Sequence, residues 1–389
     1  MSIGILTFHS QLNYGGVLQA LALRKVVETL SGKATEVINL WHDPRNTALL
    51  GKTDNPNLPW FARWRNRRRA KKRPYGQKEW QLRREKTESL LIAAMGLSKE
   101  TYRRPTDLAS LKPYETVVVG SDQVWNPFFS LTGGPERNPY LGVTLPSAQD
   151  RVAYAASFGV ADVPKEMYAG YRAALSHFRV ITVRESSGST LCARLCDMPP
   201  PPVVLDPTLL LEREAWKTLC AGRTIPERPY VLAYWLDGFD AVRRDWLVAL
   251  SERLGLPIVL LLSGPVATDP EVPGHVTARF DADPLDFVTL VAHSEGVVTD
   301  SFHGMIFATL FERKGAFFLP QDPNDGTGPK RFRDFLSRYD IDGVCHDLGR
   351  LNSGAFPPEA LAFVPLIPNT TKLMEDRQAS LRALREMLP

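Results

Sequence analysis

The residues most able to do chemistry stand just after apolar runs that predict buried strands. His303 belongs to the segment Thr299–Gly304 and follows the run Gly296–Thr299, at the point where a helix would begin. Ligands bind open α/β sheets at the carboxyl ends of their strands, and a helix N-terminus favours an anion. Because imidazole titrates near neutral pH, His303 is a candidate acid–base group. The alternative is a histidine that bonds only its own loop, with Ser301 or Asp300 as the helix cap.

Cationic side chains occupy similar positions and indicate an anionic ligand. Arg184 follows the predicted strand Val180–Val183, while Lys330 and Arg331 begin a helix after the Gly-rich loop Asp325–Gly328. A guanidinium group offers planar, two-pronged contacts to a carboxylate or a phosphate. The alternative for these cations is a solvated helix face.

A third group of polar and aromatic residues follows the predicted strand Thr116–Gly120. Asp122, Trp125 and Asn126 combine a carboxylate, an aromatic ring and a carboxamide. This combination suits a sugar, whose faces are apolar and whose rim carries hydroxyls, and Asp122 is then the candidate base for a hydroxyl. The alternative is a helix-capping Asp and a core Trp.

Two glycines mark the first predicted strand–helix turn, in the segment Asn13-Tyr14-Gly15-Gly16. Glycines there let a ligand approach the backbone, so Asn13, Tyr14 and Gly15 are candidate ligand contacts. The spacing is not the Gly-x-Gly-x-x-Gly pattern of dinucleotide binding, and a nicotinamide cofactor is therefore poorly supported. The alternative is a tight turn with no ligand.

These residues are positioned by a regular alternation of predicted strands and helices. The first unit runs from strand Ile3–Phe8 through helix Gly15–Leu30 to strand Thr35–Leu40, and it implies a parallel sheet. Further strands are predicted at Thr116–Gly120, Val152–Ser157, Val180–Val183, Val203–Leu205, Tyr230–Leu236, Ile258–Ser263, Gly296–Thr299 and Ala316–Leu319. Helices are predicted at Lys165–Phe178, Asp240–Leu254, Pro284–His293, His303–Phe311, Pro329–Tyr339 and Thr371–Met387. The pattern predicts an α/β fold of two Rossmann-like domains facing a cleft, residues 1–215 and 216–389.

Positive charge is concentrated in one segment, Trp60–Arg104. It holds fifteen Lys/Arg and four Asp/Glu, a balance of +11 in a chain whose formal net charge is +4. Its start, Trp60–Arg69, mixes aromatic with basic residues, as segments at an anionic membrane surface do. Three interpretations of the segment are open. It is an insertion that rests on such a surface, an insertion that holds a lipid-linked diphosphate, or a solvated helical insertion. Basic–aromatic tracts also bind nucleic acid, but no recognisable nucleic-acid module accompanies this one.

Composition excludes several other classes of protein. Hydrophobic residues at 44% and charged residues at 23% are typical of globular domains, and no apolar run reaches the length of a membrane span. The N-terminus lacks the basic region of a signal peptide. The four cysteines show neither disulfide nor zinc spacing, so we expect reduced thiols in a cytoplasmic protein and no metal site.

Five separated segments, in this order along the chain, resemble the polysaccharide pyruvyl transferase family. They are Asn13–Ala20, Gly120–Asn126, Tyr154–Gly159, Val183–Glu185 and Thr299–Gly304, and they span most of the chain. The chain departs from the family pattern at one position. Many family members carry Arg two residues before the motif histidine, where this chain has Ser301. A donor-binding positive charge is therefore expected from elsewhere.

The resemblance implies a fold of the glycosyltransferase B type and a transfer of the enolpyruvyl group of phosphoenolpyruvate onto two hydroxyls of a glycan sugar. No metal or other cofactor is implied. His303 and Asp122 would be catalytic, and the donor would be bound on the side of the second domain by Ser301, Lys330 and Arg331 together with Arg184 of the first domain. The first domain would bind the acceptor, a glycan or lipid-linked oligosaccharide, through Asn13, Tyr14, Gly15, Trp125 and Asn126.

Such an enzyme is expected in the cytoplasm or at the inner face of the membrane, with no nucleic-acid partner. The competing interpretation is a sugar-nucleotide-dependent glycosyltransferase of the same architecture, because the fold alone does not decide the chemistry. A third is a protein that binds lipid or nucleic acid through the basic segment without catalysis.

Overall fold

Two parallel β-sheets flanked by helices form the framework of the protein. The computed structural model describes residues 2–10, 12–41, 75–128, 134–236, 238–320, 329–341 and 343–389. Among these residues no helix is long and apolar enough to cross a membrane.

The first sheet is built from the N-terminal half of the chain. Its described strands are β1 (Ile3–Leu6), β2 (Thr35–Leu40), β3 (Leu97–Tyr102), β4 (Thr116–Val119), β5 (Arg151–Ala156) and β6 (Val180–Val183). They lie in the order β3-β2-β1-β4-β5-β6, and every neighbouring pair is parallel. This is the Rossmann order, in which the winding direction reverses between β1 and β4. β4 and β5 are buried along their whole length, which explains their continuous apolar sequences.

The second sheet repeats this arrangement. Its described strands are β7 (Val231–Trp235), β8 (Ile258–Leu262), β9 (Val276–Ala278), β10 (Gly296–Thr299), β11 (Lys314–Leu319), β12 (Cys345–Asp347) and the short β13 (Val364–Pro365). The parallel order is β12-β11-β10-β7-β8-β9, and β13 pairs antiparallel with β11. The winding therefore reverses between β7 and β10. The predicted α/β fold with two Rossmann-like domains is confirmed.

The α-helices of the described residues, apart from the last, lie between these strands along the chain and form several of the crossovers that parallel pairing requires. They are α1 (Tyr14–Ser31), α2 (Gln77–Ala94), α3 (Tyr168–Leu175), α4 (Ser186–Cys196), α5 (Arg213–Leu219), α6 (Ala241–Leu254), α7 (Pro284–His293), α8 (Phe302–Leu310), α9 (Lys330–Arg338), α10 (Leu348–Asn352) and α11 (Thr370–Met387). The prediction of a strand at Val203–Leu205 is wrong, since Val203 makes only an isolated bridge to Val183. The four prolines before it have no N–H groups to donate, so regular pairing with β6 cannot extend toward the N-terminus.

The two domains share one hydrophobic core. It combines residues of α1 in the first domain with residues of α7, α8 and α11. The C-terminal helix α11 returns to the first domain, where the Ser380 hydroxyl accepts a hydrogen bond from the Leu205 amide (3.0 Å) and Arg377 donates to the Leu209 carbonyl (2.7 Å). The base of the cleft is therefore a packed apolar interface.

The described part of the basic segment belongs to the folded domains, which corrects the prediction of an insertion over residues 60–104. Residues 75–104 contain α2 and the sheet strand β3. On α2, Arg83 is 1% exposed and donates to the carbonyl oxygens of Leu12 in the first domain and Leu262 in the second. This helix therefore joins the domains. Residues 60–74 lie outside the described residues.

Candidate active site

The segments singled out in the sequence meet at the points where the two sheets reverse their winding. Tyr14 begins α1 after β1, and Asp122 follows β4, the neighbour of β1 in the sheet. In the second sheet, His303 follows β10, the neighbour of β7. Ligands of doubly wound sheets bind in the crevice at this switch point. Both domains therefore present their switch points to the cleft.

Arg184 forms the centre of the site and binds carboxylates on two sides. Its Nη1 donates to Asp206 Oδ2 (2.8 Å), and its Nη2 donates to Asp122 Oδ1 (3.3 Å). The side chain is only 3% exposed. Burial disfavours the charged guanidinium, but the negative charges of Asp122, Asp206 and Glu185 outweigh burial and raise the pKa of Arg184. The two-pronged end of Arg184 is thus occupied by protein carboxylates.

His303 lies between Asp206 and the start of α1. Its Nε2 is 3.4 Å from Asp206 Oδ2, within ion-pair distance but without a hydrogen-bond partner. On the other side of the ring, a Cβ atom added to Gly15 would lie 2.0 Å from Nδ1. Gly15 is therefore required because α1 approaches the imidazole too closely for a side chain. The first and the last of the five sequence segments are in direct contact.

The negative charge of Asp206 is strongly stabilised. Burial opposes ionisation of this carboxyl group, but His303 and Arg184 outweigh burial and hold the pKa of Asp206 well below its usual range. Glu185 behaves in the opposite way, because burial raises its pKa and the nearby Arg184 only partly opposes the rise. Neighbouring carboxyl groups with opposite shifts are typical of acid–base sites.

Arg331 is a second buried guanidinium, and its charge is less well balanced. It begins the first turn of α9 and, with Arg184, lies against the ring of Phe302, at 5.9 Å and 4.9 Å from its centroid. Its Nε is buried and has no hydrogen-bond partner among the described residues. Burial, and then repulsion from Arg184, lower the pKa of Arg331 to about 10. An anionic ligand would relieve both effects.

Both guanidinium groups line an interdomain cavity of about 180 Å³. Residues 202–206 of the first domain form one wall, and residues of α8, α9 and α11 form the others. Phe302, Ile306 and Phe335 make much of the lining apolar. A pocket with an apolar lining and a few convergent charges is typical of a small-ligand site.

Asp334 holds α9, and with it Arg331, against the first domain. Its Oδ2 accepts hydrogen bonds from the Ser186 amide (3.1 Å) and hydroxyl (2.5 Å) at the start of α4. A carboxylate at a helix N-terminus is favourable because the unpaired amides there carry partial positive charge. Since residues three apart share a helix face, this contact turns Arg331 toward Arg184.

Two predicted acceptor contacts are core residues instead, which corrects those predictions. Trp125 is fully buried, with its Nε1 donating to the Tyr140 carbonyl (3.0 Å). Tyr14 is also fully buried, and its hydroxyl donates to the Ala282 carbonyl (3.0 Å) in the second domain. Within the described residues neither ring has a free face for a sugar, because Trp125 packs in the core of the first domain and Tyr14 is buried between the two domains.

Other predicted residues have structural roles within reach of the site. Asn126 bonds within its own loop, where its Oδ1 accepts from the Phe128 amide (2.9 Å). Asn13 caps α1, and Ser301 caps α8 by accepting from the Gly304 amide (3.2 Å). Lys330 is exposed and does not line the cavity. Ligand contacts by Asn13 and Ser301 stay predictions.

The sequence interpretation missed Asp206, which contacts two of the predicted site residues. The signal was present, since Asp206-Pro207-Thr208 follows the apolar run Val203–Leu205 just as Asp122 follows β4. Phe302 was missed as a surface for the two guanidinium groups. Within the described residues, no group of three or more His, Cys, Asp or Glu side chains could hold a metal ion.

Several solved structures are similar to this chain over nearly its whole length, and one of them, with a TM-score of 0.50, supports the fold. A putative UDP-N-acetylglucosamine 2-epimerase from Listeria monocytogenes has a TM-score of 0.50 at 10% identity, with 99% of this chain and 97% of that chain covered. UGT89C1 from Arabidopsis thaliana has a TM-score of 0.47 at 13% identity (100% and 98% covered). The glycosyltransferase SnogD from Streptomyces nogalater has a TM-score of 0.43 at 16% identity (100% and 96% covered).

The search among curated proteins found no significant match. A family model, by contrast, matches residues 13–321, a range that includes all five segments together with Asp122, Arg184, Asp206 and His303 but not Arg331. By this match the chain belongs to the polysaccharide pyruvyl transferase family.

Proposed function

We propose that the protein transfers the enolpyruvyl group of phosphoenolpyruvate onto two hydroxyls of a glycan sugar and forms a pyruvate ketal. Family membership supports a pyruvyl transferase. One observation in the site supports an anionic donor: Arg331 is a buried guanidinium with an unpartnered Nε beside a second guanidinium. A carboxylate and a phosphate on one small molecule are the partners that such a pair of cations favours.

The reaction needs two proton transfers. Addition of the first hydroxyl oxygen to the central carbon of the donor is accompanied by protonation of the methylene carbon, which becomes a methyl group. Departure of phosphate then leaves an oxocarbenium-like carbon that the second hydroxyl captures. One hydroxyl proton thus ends on the methyl group and the other on the released phosphate, so one phosphate is released for each ketal formed.

The residues around Arg184 offer groups for both transfers. Asp122 keeps 15% of its side chain exposed, more than Asp206 at 1%, and is the better placed base for a sugar hydroxyl. His303 is the proposed acid that serves the methylene carbon or the departing phosphate. Arg331 would hold the donor in the interdomain cavity, and Arg184 would organise the carboxylates. This assignment supplies the positive charge that Ser301 cannot.

The test offers purified protein phosphoenolpyruvate or sugar nucleotides with a panel of glycan acceptors. We expect acceptor-dependent phosphate release from phosphoenolpyruvate, and acceptor whose mass has grown by one pyruvate ketal. A parallel reaction with a chelator tests the expected independence of a metal. His303→Ala should reduce release by about a hundred- to ten-thousandfold while the melting temperature stays near that of the wild type.

Sugar transfer from a nucleotide, without phosphate release from phosphoenolpyruvate, would contradict the proposal and favour a glycosyltransferase. Full turnover by His303→Ala would remove this histidine from the mechanism. If the protein catalyses neither pyruvyl transfer nor sugar transfer, and the His303→Ala variant still binds ligand, the result would indicate a binding protein.

A further inference from the structure

We propose that Asp206 is a positioning residue that fixes His303 and Arg184 relative to each other across the cleft. Its carboxylate lies within ion-pair distance of His303 and accepts the shorter of the two carboxylate hydrogen bonds of Arg184. The catalytic consequence rests on the proposed function, but the ion pair itself does not. The two parts can therefore be tested separately.

A single oxygen of Asp206 serves both partners. Oδ2 lies 2.8 Å from Arg184 Nη1 and 3.4 Å from His303 Nε2. The Ser121 hydroxyl also donates to this oxygen (3.4 Å). The carboxylate is 1% exposed, so water does not compete for these contacts. Charged contacts are stronger in such surroundings than in water.

The other oxygen of Asp206 prevents the carboxylate from rotating. Oδ1 accepts hydrogen bonds from the Thr208 amide (3.0 Å) and hydroxyl (2.7 Å). The preceding residue is also fixed, because the Leu205 amide donates to Ser380 of α11 and the Leu205 carbonyl accepts from Tyr154. Oδ2 thus has a defined position before any ligand binds, which is the property that a positioning residue needs.

Two cross-domain contacts lie side by side at the start of α8. Asp206 and Arg184 belong to the first domain, and His303 and Phe302 are consecutive residues of the second. Asp206 faces His303, while Arg184 lies 4.9 Å from the centroid of the Phe302 ring. Because Asp206 also holds Arg184, one carboxylate maintains both contacts. Its loss would loosen the imidazole and the guanidinium together.

The charges around His303 decide what removal of Asp206 would do. Arg184 and Arg331 are cationic, and the N-terminal turn of α1 at Gly15 adds partial positive charge. Asp122 and Glu185 are the nearby acidic groups, and each faces Arg184. Among the described residues, Asp206 is the acidic side chain within ion-pair distance of His303. Without it, a protonated imidazole would face mainly positive charge.

The decisive experiment follows the His303 ring by NMR in full-length wild type and in Asp206→Asn, with the His303 signal assigned from its absence in His303→Gln. Loss of a close opposite charge shifts a titration by about one to three pH units. We therefore expect the midpoint for His303 to fall by at least about one unit in Asp206→Asn. The acid limb of the pH profile of kcat should move in the same direction, and kcat should fall by about a hundredfold or more.

Asp283→Asn is the matched control. Asp283 is also buried, precedes a proline, caps a helix and pairs with an arginine, Arg223, but its hydrogen bonds and ion pairs within the described residues do not include His303. It should leave the His303 titration and kcat unchanged. If Asp206→Asn does not fold, Thr208→Val provides the second variant, because it removes one of the two hydrogen bonds to Oδ1 and should shift the titration less but in the same direction.

Two results would overturn the proposal: an unchanged His303 titration in folded Asp206→Asn, or an unchanged kcat despite a shifted titration. Equal shifts in Asp206→Asn and Asp283→Asn would do the same, because they would indicate a general effect of lost charge. If the wild type shows no turnover with phosphoenolpyruvate, the proposed function fails, and the NMR comparison still decides whether Asp206 holds His303.

Discussion

At the scale of single residues, the two buried arginines of the site differ in how well they are paired. Each terminal nitrogen of Arg184 donates to a carboxylate, whereas the guanidinium of Arg331 lies over the aromatic rings of Phe302 and Phe332. Removing one partner of a buried pair is costly, but removing an unbalanced buried charge need not be. Substitution of Arg184 should therefore lower the stability of the protein, whereas substitution of Arg331 should not.

Arg331→Met should raise the donor KM by about ten- to a hundredfold, the worth of one charge-assisted contact. The substitution should not reduce the melting temperature of the ligand-free protein, because the charge that it removes is unfavourable in that place. The lowering of the Arg331 pKa to about 10 reflects this unfavourable environment. Steady-state kinetics and thermal unfolding measure the two effects. Phosphoenolpyruvate should raise the melting temperature of the wild type more than that of the variant.

Arg333→Met is the control for this substitution, since Arg333 lies on the exposed side of the same helix. Its donor KM should equal that of the wild type. An unchanged donor KM in Arg331→Met would show that the anion is held elsewhere.

The sequence predicted most of the charged groups of the site but not their pairing. His303, Asp122 and Arg184 were found because they follow apolar runs, and the carboxyl ends of parallel strands meet at one edge. Asp206 follows an apolar run as well, but its partners belong to other strands and to the other domain, so the local sequence does not reveal the pairing. Tyr14 has the same local signal as a ligand contact, and only the structure shows that its ring is buried between the domains.

At the scale of elements, the site depends on the close approach of two helix N-termini, those of α1 and α8. Gly15 of α1 packs on His303 of α8, while the next glycine, Gly16, has its nearest neighbouring atom 3.8 Å from an added Cβ. One glycine of the pair is thus sterically required and the other is not. The two positions provide a comparison within a single motif.

Gly15→Ala should abolish turnover, because its Cβ would displace the His303 ring from its place beside Asp206. Overpacking of this kind typically costs about 1–3 kcal/mol of stability. Gly16→Ala should keep turnover and gain up to about 1 kcal/mol, since alanine is favoured over glycine within a helix. Turnover and denaturant unfolding of both variants test this, and equal activity of the two would disprove the steric role of Gly15.

Helices with a clear apolar period were predicted closely, and those with unusual surroundings were missed. The predicted helix Thr371–Met387 differs from α11 by one residue, but nothing in its sequence reveals that it packs on the first domain. α2 was missed because it buries Arg83 and Thr87 where a regular amphipathic helix would bury apolar residues. β3 was missed because most of its residues are polar, as an edge strand permits.

At the scale of the whole molecule, the cations of the basic segment fall into those of residues 75–104, which the structure describes, and those of residues 60–74, which lie outside the described residues. In residues 75–104, Arg83 is buried, Arg84 pairs with Glu88, and Lys86 pairs with Asp281 and Asp286. These cations serve the folded protein. Residues 60–74 hold eight Lys/Arg and no Asp/Glu, so they carry +8 of the segment's balance of +11, and residues 75–104 carry the other +3.

We propose that residues 60–74 bind an anionic membrane surface, where lipid-linked glycans would be presented. Each cation near such a surface contributes roughly 1 kcal/mol, and the effect falls off within a Debye length. Reversal of Arg65, Arg67, Arg68 and Arg69 to Glu should therefore abolish binding to vesicles that contain anionic lipid, in a sedimentation assay at low and high salt. Turnover on a short water-soluble acceptor should persist, because the site is built from other segments of the chain.

Reversal of Lys78, Lys99, Arg103 and Arg104 provides a control with the same change in net charge, taken from exposed positions of the neighbouring folded part. This control should still bind the vesicles. If both variants lose binding equally, the attraction depends on net charge alone and not on residues 60–74. If the first variant stays folded but loses turnover on the soluble acceptor as well, residues 60–74 contribute to the active site, since a surface anchor has no influence on a substrate that never touches the membrane.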